Sequence, residues 1–202
     1  MTYLGFDVLE LKPDRPGAIP EGTARAHESL DTQTGQRWTD LFEPAPVGDI
    51  VFHWPCVGRA AALANRQWMD TRKGVVVPFW APTWMPDLTL AANANAGASQ
   101  ITILPVEYST LVWPYGRRHL AVYARGAAPS YHYVSDADDG TVETLTITPV
   151  LPVAWPAETT TISFLRFMRV AEPGKVDRVW HGGHFCQATV NFVEIPQEAP
   201  TP

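Results

Sequence analysis

The sequence predicts a mainly β protein, a sandwich or distorted barrel with one short helix. Three observations carry that expectation. Short runs rich in Val, Ile, Thr and aromatics recur along the chain at the roughly 8–12-residue spacing of a sandwich or barrel. Turn signals such as Asp138-Asp139-Gly140 and Gly182-Gly183 separate them. Nineteen prolines in 202 residues leave little room for helix, because proline lacks the backbone N–H and pushes the residue before it towards extended backbone.

Taken in order, Tyr3–Leu11 reads as a strand. Lys12–Thr34 holds Pro13, Pro16, Gly17, Pro20 and Gly22 with few large apolar residues, and reads as a long loop or arm. Gly35–Phe42 and Val47–Trp54 read as strands split by the Pro44–Pro46 turn. Arg59–Arg72 is the one helix candidate. Ala60, Ala61, Leu63, Ala64 and Trp68 form its approximate 3.6-residue stripe, and Gly74 stands where a stop belongs. Ala91–Ser99 reads as a turn. The strands Gln100–Leu104, His119–Arg125, Tyr131–Ser135, Val142–Pro149, Thr160–Val170, Val176–Trp180 and Phe185–Ile195 follow. In Thr160–Val170 both faces are largely apolar, the pattern of a strand covered on both sides. A single domain is expected over residues 1–196, with the long loop at 12–34 and a disordered Pro-rich tail at 197–202.

The most distinctive stretch is VVVPFWAPTWMPDLTL, Val75–Leu90. Trp80 and Trp84 stand four residues apart, as do Pro78, Pro82 and Pro86. The segment is therefore extended and stiff, with large aromatics that dominate whatever surface they bury. That surface is the chain's own core, a partner or a ligand. Charged residues make up 18 % of the chain, below the typical ~25 %, which fits either an interface-rich protein or a β protein with long loops. Interface anchors are expected at Trp80, Trp84 and Trp113, with Arg117 and Arg118 as secondary contacts.

The formal net charge is −6 and no Lys/Arg run is present, against the basic footprint that sequence-independent nucleic-acid binding needs. No stretch approaches the ~20 apolar residues of a membrane span, and the N-terminus has no basic region followed by an apolar core. Cys56 and Cys186 are expected to be free, buried thiols.

Residue types that carry chemistry occur, but without a convincing constellation. His181, His184 and Cys186 are metal-ligand types, yet the H-x-x-H-x-C spacing matches no common zinc signature, and the glycines between them suit an ordinary hairpin. Asp136, Asp138 and Asp139 sit in a turn-rich run where Asp is favoured for backbone reasons. There is no G-x-S-x-G elbow and no Gly-rich phosphate loop. The chain is read as a non-enzyme with no cofactor, acting by assembly. The alternative is a carbohydrate- or receptor-binding β-sandwich module, in which Trp80, Trp84 and Trp113 stack on sugar faces.

The run Arg66-x-Trp68, Arg72-x-Gly74, Phe79-Trp80-x-Pro82-Thr83-Trp84 and Asp87-Leu88-x-Leu90 resembles a segment of tail-tip proteins of long-tailed bacteriophages and prophages. The strand Thr161–Val170 and the closing Phe192-Val193-Glu194-Ile195-Pro196 are similar to theirs as well. The likeness runs in order over Asn65–Pro196, as a pattern of strands and aromatics, and leaves out residues 1–50. It implies a virion structural protein at the distal end of the tail, made in the host bacterial cytoplasm. Such proteins join the tail tube to the hub or fibres in closed rings, commonly hexamers and sometimes trimers. The partners implied are copies of the chain and other tail proteins, not a membrane or a specific nucleic-acid sequence. Closed rings use heterologous contacts, one patch meeting a different patch.

Overall fold

The computed structural model describes residues 1–14, 21–24, 27–31, 37–41 and 47–202. Along them run β1 (Thr2–Tyr3), β2 (Phe6–Asp7), β3 (Glu21–Ala24), β4 (His27–Asp31), β5 (Arg37–Leu41) and β6 (Val47–Val57), then the helix α1 (Gly58–Thr71). After it come β7 (Phe79–Pro82), β8 (Gln100–Ile103), β9 (His119–Ala124), β10 (Ser130–Asp138), β11 (Glu143–Thr148), β12 (Thr160–Val170), β13 (Val176–His181) and β14 (Phe185–Glu194). The protein is mainly β, as the sequence predicts, with mostly antiparallel pairing that does not close into a barrel. The chain divides into two compact units interleaved in sequence. One comprises Met1–Glu10, Trp80–Arg166 and Ala199–Pro202, the other Leu11–Phe79 and Phe167–Glu198.

In the first unit, the sheet runs β8–β11–β10–β9 and ends on the first half of β12, where Thr160–Phe164 pairs with β9. Alternation places Leu145 and Ile147 of β11 inward. Leu120, Val122, Val134 and Ile162 join them, with Tyr108, Leu151 and Trp155 filling the same core. The segment after β7 crosses this sheet through isolated bridges at Leu88 to Ile162 and Leu90 to Ile103.

In the second unit, β6 lies between β3 and β14, while β14 also pairs with β13 and with Met168–Val170 of β12. The register sets Ile50, Phe52, Trp54 and Cys56 opposite Phe192, Val190, Ala188 and Cys186. All eight are buried. This is the two-residue alternation of a sheet with one covered face. Phe192 is the hub of an aromatic cluster, with ring centroids 5.6 Å from Phe52, 6.0 Å from Trp54 and 5.2 Å from Phe79. Trp68 of α1 stands edge-on to Phe79 at 5.0 Å. Cys56 and Cys186 are free and buried, as expected.

Four expectations are corrected. Tyr3–Leu11 is not one strand: β1 and β2 form a tight hairpin at Leu4-Gly5, both with positive φ (47° and 85°), the backbone of a primed turn that lacks the usual Asn-Gly signal. The loop expected at 12–34 contains β3 and β4. β3 pairs with the start of β6 and β4 pairs with β5, and such pairing depends on the partner more than on a strand's own propensity. Helix α1 spans nearly the expected residues, but it buries Ala62, Asn65 and Met69 and leaves Leu63 exposed. With four alanines in two turns, the stripe is too weakly apolar to set the helix rotation. The tail is not featureless from 197: Pro196–Glu198 is a 3₁₀ turn, and Arg169 pairs with Glu198.

Candidate assembly surface

Three of the five expected anchors, Trp113, Arg117 and Arg118, fall on one segment of the first unit, between β8 and β9. The segment is held from below by two carboxylates. Glu143, at the start of β11 and 2 % exposed, accepts the backbone N–H groups of Val106 at 2.8 Å, Glu107 at 2.6 Å and Tyr108 at 3.2 Å. Charge-assisted bonds of this kind are about twice as strong as neutral ones. They fix the chain as it enters a π-helical turn over Tyr108–Val112, preceded by Glu107 at φ 54°. Asp139 accepts the N–H of Ser109 at 3.2 Å and also its hydroxyl. Tyr108 is buried, its hydroxyl donates to the carbonyl of Arg117, and burial raises its pKa.

A 3₁₀ turn over Trp113–Tyr115 follows, with Pro114 inside it and Gly116 at φ 70° ending it. Proline presets φ and glycine supplies the left-handed residue. On this frame the Arg118 guanidinium lies 3.9 Å from the Trp113 ring centroid, within cation–π range, and its Nη1 donates to the Tyr133 hydroxyl at 3.4 Å. Leu111 and Tyr115 are about half exposed, at 55 % and 50 %. Aromatics, arginine and an apolar residue presented by a stiff loop match the composition of interface cores. The sequence reading missed Leu111, Tyr115 and the supports Glu143 and Asp139. The run Trp-Pro-Tyr-Gly was the available signal for the turn, but nothing local links Glu143 to residues 106–108.

The other two anchors lie elsewhere. Trp80 is a core residue, 1 % exposed, which corrects its assignment as a surface anchor. Its indole N–H donates to the Tyr3 carbonyl at 3.0 Å, and its ring lies 5.4 Å from Tyr3 and 4.4 Å from His119. All four residues of β7 are buried, whereas Val76 and Pro86 of the same proline-rich segment are exposed. Burial, and secondarily the Arg118 charge, lowers the His119 pKa to about 4. Its Nδ1 lies 3.1 Å from the Tyr3 hydroxyl. Trp84, at φ 50°, borders a pocket of about 140 Å³ with Leu9, Tyr123, Pro129 and Tyr131. The sugar-stacking alternative therefore loses Trp80.

His181 and His184 are exposed near the β13–β14 turn while Cys186 is buried opposite Cys56, so the three do not converge. Among the described residues no group of three or more His, Cys, Asp or Glu is placed to hold a metal ion. No described helix is long and apolar enough to cross a membrane. Compared with known proteins, the chain matches no family model and no curated protein.

Proposed function

We propose that this chain is a structural protein of a bacteriophage tail tip, assembling into a ring, with six copies favoured over three, that connects the tail tube to the hub or fibres. The observation that carries the assembly reading is the Leu111–Arg118 surface. It presents the half-exposed Leu111 and Tyr115 beside the partly buried Trp113 and Arg118, is held by Glu143 and Asp139, and is built of the residue types that anchor interfaces. The tail-tip setting is supported by the sequence resemblance over Asn65–Pro196. In this reading the chain acts by burying surface against its neighbours and performs no catalysis.

The test has two parts. Sedimentation of the purified chain is expected to show a closed oligomer that the Leu111→Ser/Tyr115→Ser variant no longer forms while remaining folded. Immunogold labelling of phage lysates is expected at the far end of tails. A chain that stays monomeric at every concentration and labels no particle would remove the proposal.

A further inference from the structure

The second unit carries a groove of about 500 Å³ between α1 and the β13–β14 hairpin. Arg59, Leu63 and Arg66 line one wall, following the i, i+4, i+7 spacing of one helix face. Arg178 and Trp180 line the other. They stand two apart on β13, opposite the buried Ala188 and Cys186 of β14, and so share the sheet face that α1 covers. Gly183 closes one end, where an added Cβ would meet nothing within 4 Å.

Three guanidiniums meet here in a chain of net charge −6, and no carboxylate is among the residues lining the groove. Local compensation is slight. Arg66 reaches Asp70 at 3.6 Å, but that pair is largely exposed and of small value. Arg178 lines the groove with its guanidinium partly enclosed: Nε and Nη2 are shut off from solvent and have no hydrogen-bond partner, so the charge is partly desolvated and Nη1 is the donor left to meet a ligand. The start of α1 adds to the positive field. Val57 offers no side-chain cap and the first turn holds no acidic residue, while Arg59 occupies that turn against the helix dipole. Beside these charges, Leu63 and Trp180 are about half exposed, at 54 % and 49 %.

We infer that this groove docks an acidic peptide segment of a partner protein, its carboxylates on Arg59, Arg66 and Arg178 and an apolar side chain against Trp180 and Leu63. A free inorganic anion would leave the indole and the leucine in water. A nucleic acid needs a longer basic footprint than three arginines on an acidic chain. The groove volume lies in the range of ligand sites, about 300–1,000 Å³, and guanidinium–carboxylate pairs are the strong, directional contacts that set orientation. The inference stands apart from the tail-tip reading and survives its failure.

The experiment is a fluorescence-anisotropy titration of the full chain with a fluorescein-labelled peptide, Asp-Glu-Phe-Asp-Glu, and its counterpart with Lys at every acidic position. The acidic peptide is expected to bind and the lysine peptide not to. Arg178→Gln is expected to weaken binding about tenfold, in line with loss of one charge-assisted pair, and raising the salt to weaken it further. Arg59→Gln and Arg66→Gln lie on an exposed helix face, so they keep the fold and are expected to weaken binding several-fold each. Equal binding of both peptides, wild-type binding by the Arg59→Gln/Arg66→Gln pair, or no binding at ~1 mM protein, the weak end of specific affinity, would overturn the proposal. So would full competition by millimolar inorganic phosphate with no loss on Phe→Ala in the peptide, which marks a simple anion site. A self-association that the peptide disperses would overturn it too, because the occupant is then a second copy.

Discussion

Trp80 and Trp113 lie in the same unit, each beside a tyrosine and a basic side chain, and they do opposite things. Trp80 turns its ring inward between Tyr3 and His119 and satisfies its indole N–H on a backbone carbonyl. Trp113 is partly buried at the edge of the same core, with Arg118 stacked on its face. Tyr133 stands between the two sites. Its ring is 5.1 Å from His119 and its hydroxyl receives Arg118. The basic group marks the difference: at the Trp80 site burial lowers the histidine pKa, while at the Trp113 site a guanidinium stacks on the π face.

The strongest way to break this comparison is Trp80→Ala. It should cost about 3–5 kcal/mol, the usual range for emptying a large aromatic site in a core, read by denaturant unfolding. The same substitution at Trp113, which packs only partly against the core, should cost clearly less. Equal losses would erase the distinction. The unfolding curve also tests the domain expectation: one transition upholds a single domain over 1–196, and two separate the units.

Glu143→Ala comes next. It strands the N–H groups of Val106, Glu107 and Tyr108 beside a buried site, at an expected cost of about 2–3 kcal/mol. Hydrogen exchange at those three amides should rise well above that of the β9 amides. Unchanged protection would show that the surface segment holds its shape without the carboxylate.

Acid supplies a third test. The His119 pKa is lowered from 6.5 to about 4, so between those values the unfolded chain binds a proton that the folded chain refuses. Stability is therefore full above pH 6.5, falls as the pH drops through this window by on the order of 3 kcal/mol, and levels off near pH 4. His132 is also lowered by burial and adds in the same sense. His119→Gln should flatten the profile measured by thermal melts, and an unchanged profile would rule out His119 as its source.

The smallest effect sharpens the link between the sites. Arg118→Gln removes a positive charge that helps lower His119, so the His119 pKa followed by NMR should move upward. A double-mutant cycle between Trp113 and Arg118 should return about 0.5–2 kcal/mol for this partly buried cation–π pair. A null coupling would mean that the stack is incidental to the surface.

Much of the fold was legible because strands and turns leave local marks. Thr160–Val170 has the expected bounds in the structure, and Phe185–Glu194 ends one residue before its expected Ile195. Both are long runs of β-formers with clear punctuation. The surface segment was only half legible. Trp113, Arg117 and Arg118 stood out by type, while Leu111 and Tyr115 acquire meaning only once Glu143, some 35 residues away, pins the turn that exposes them. The groove on the second unit was not legible at all, because α1 and β13 are far apart in sequence and the helix rotation that exposes Leu63 was set by the sheet beneath it.

By itself the sequence determined the class, the order of most strands, the place of α1 and the strand character of Phe79–Pro82, though not the turn at Val75–Val76 or the left-handed Trp84 in the same segment. These depend on side-chain periodicity and on proline's missing N–H, which act within a few residues. Tertiary structure alone decided that Trp80 is fully enclosed and Trp113 only partly, that Glu21–Ala24 and His27–Asp31 pair as strands, and that three arginines share a groove without a carboxylate. Each of these depends on which distant residues arrive opposite, and burial, pairing and charge compensation are properties of that arrangement.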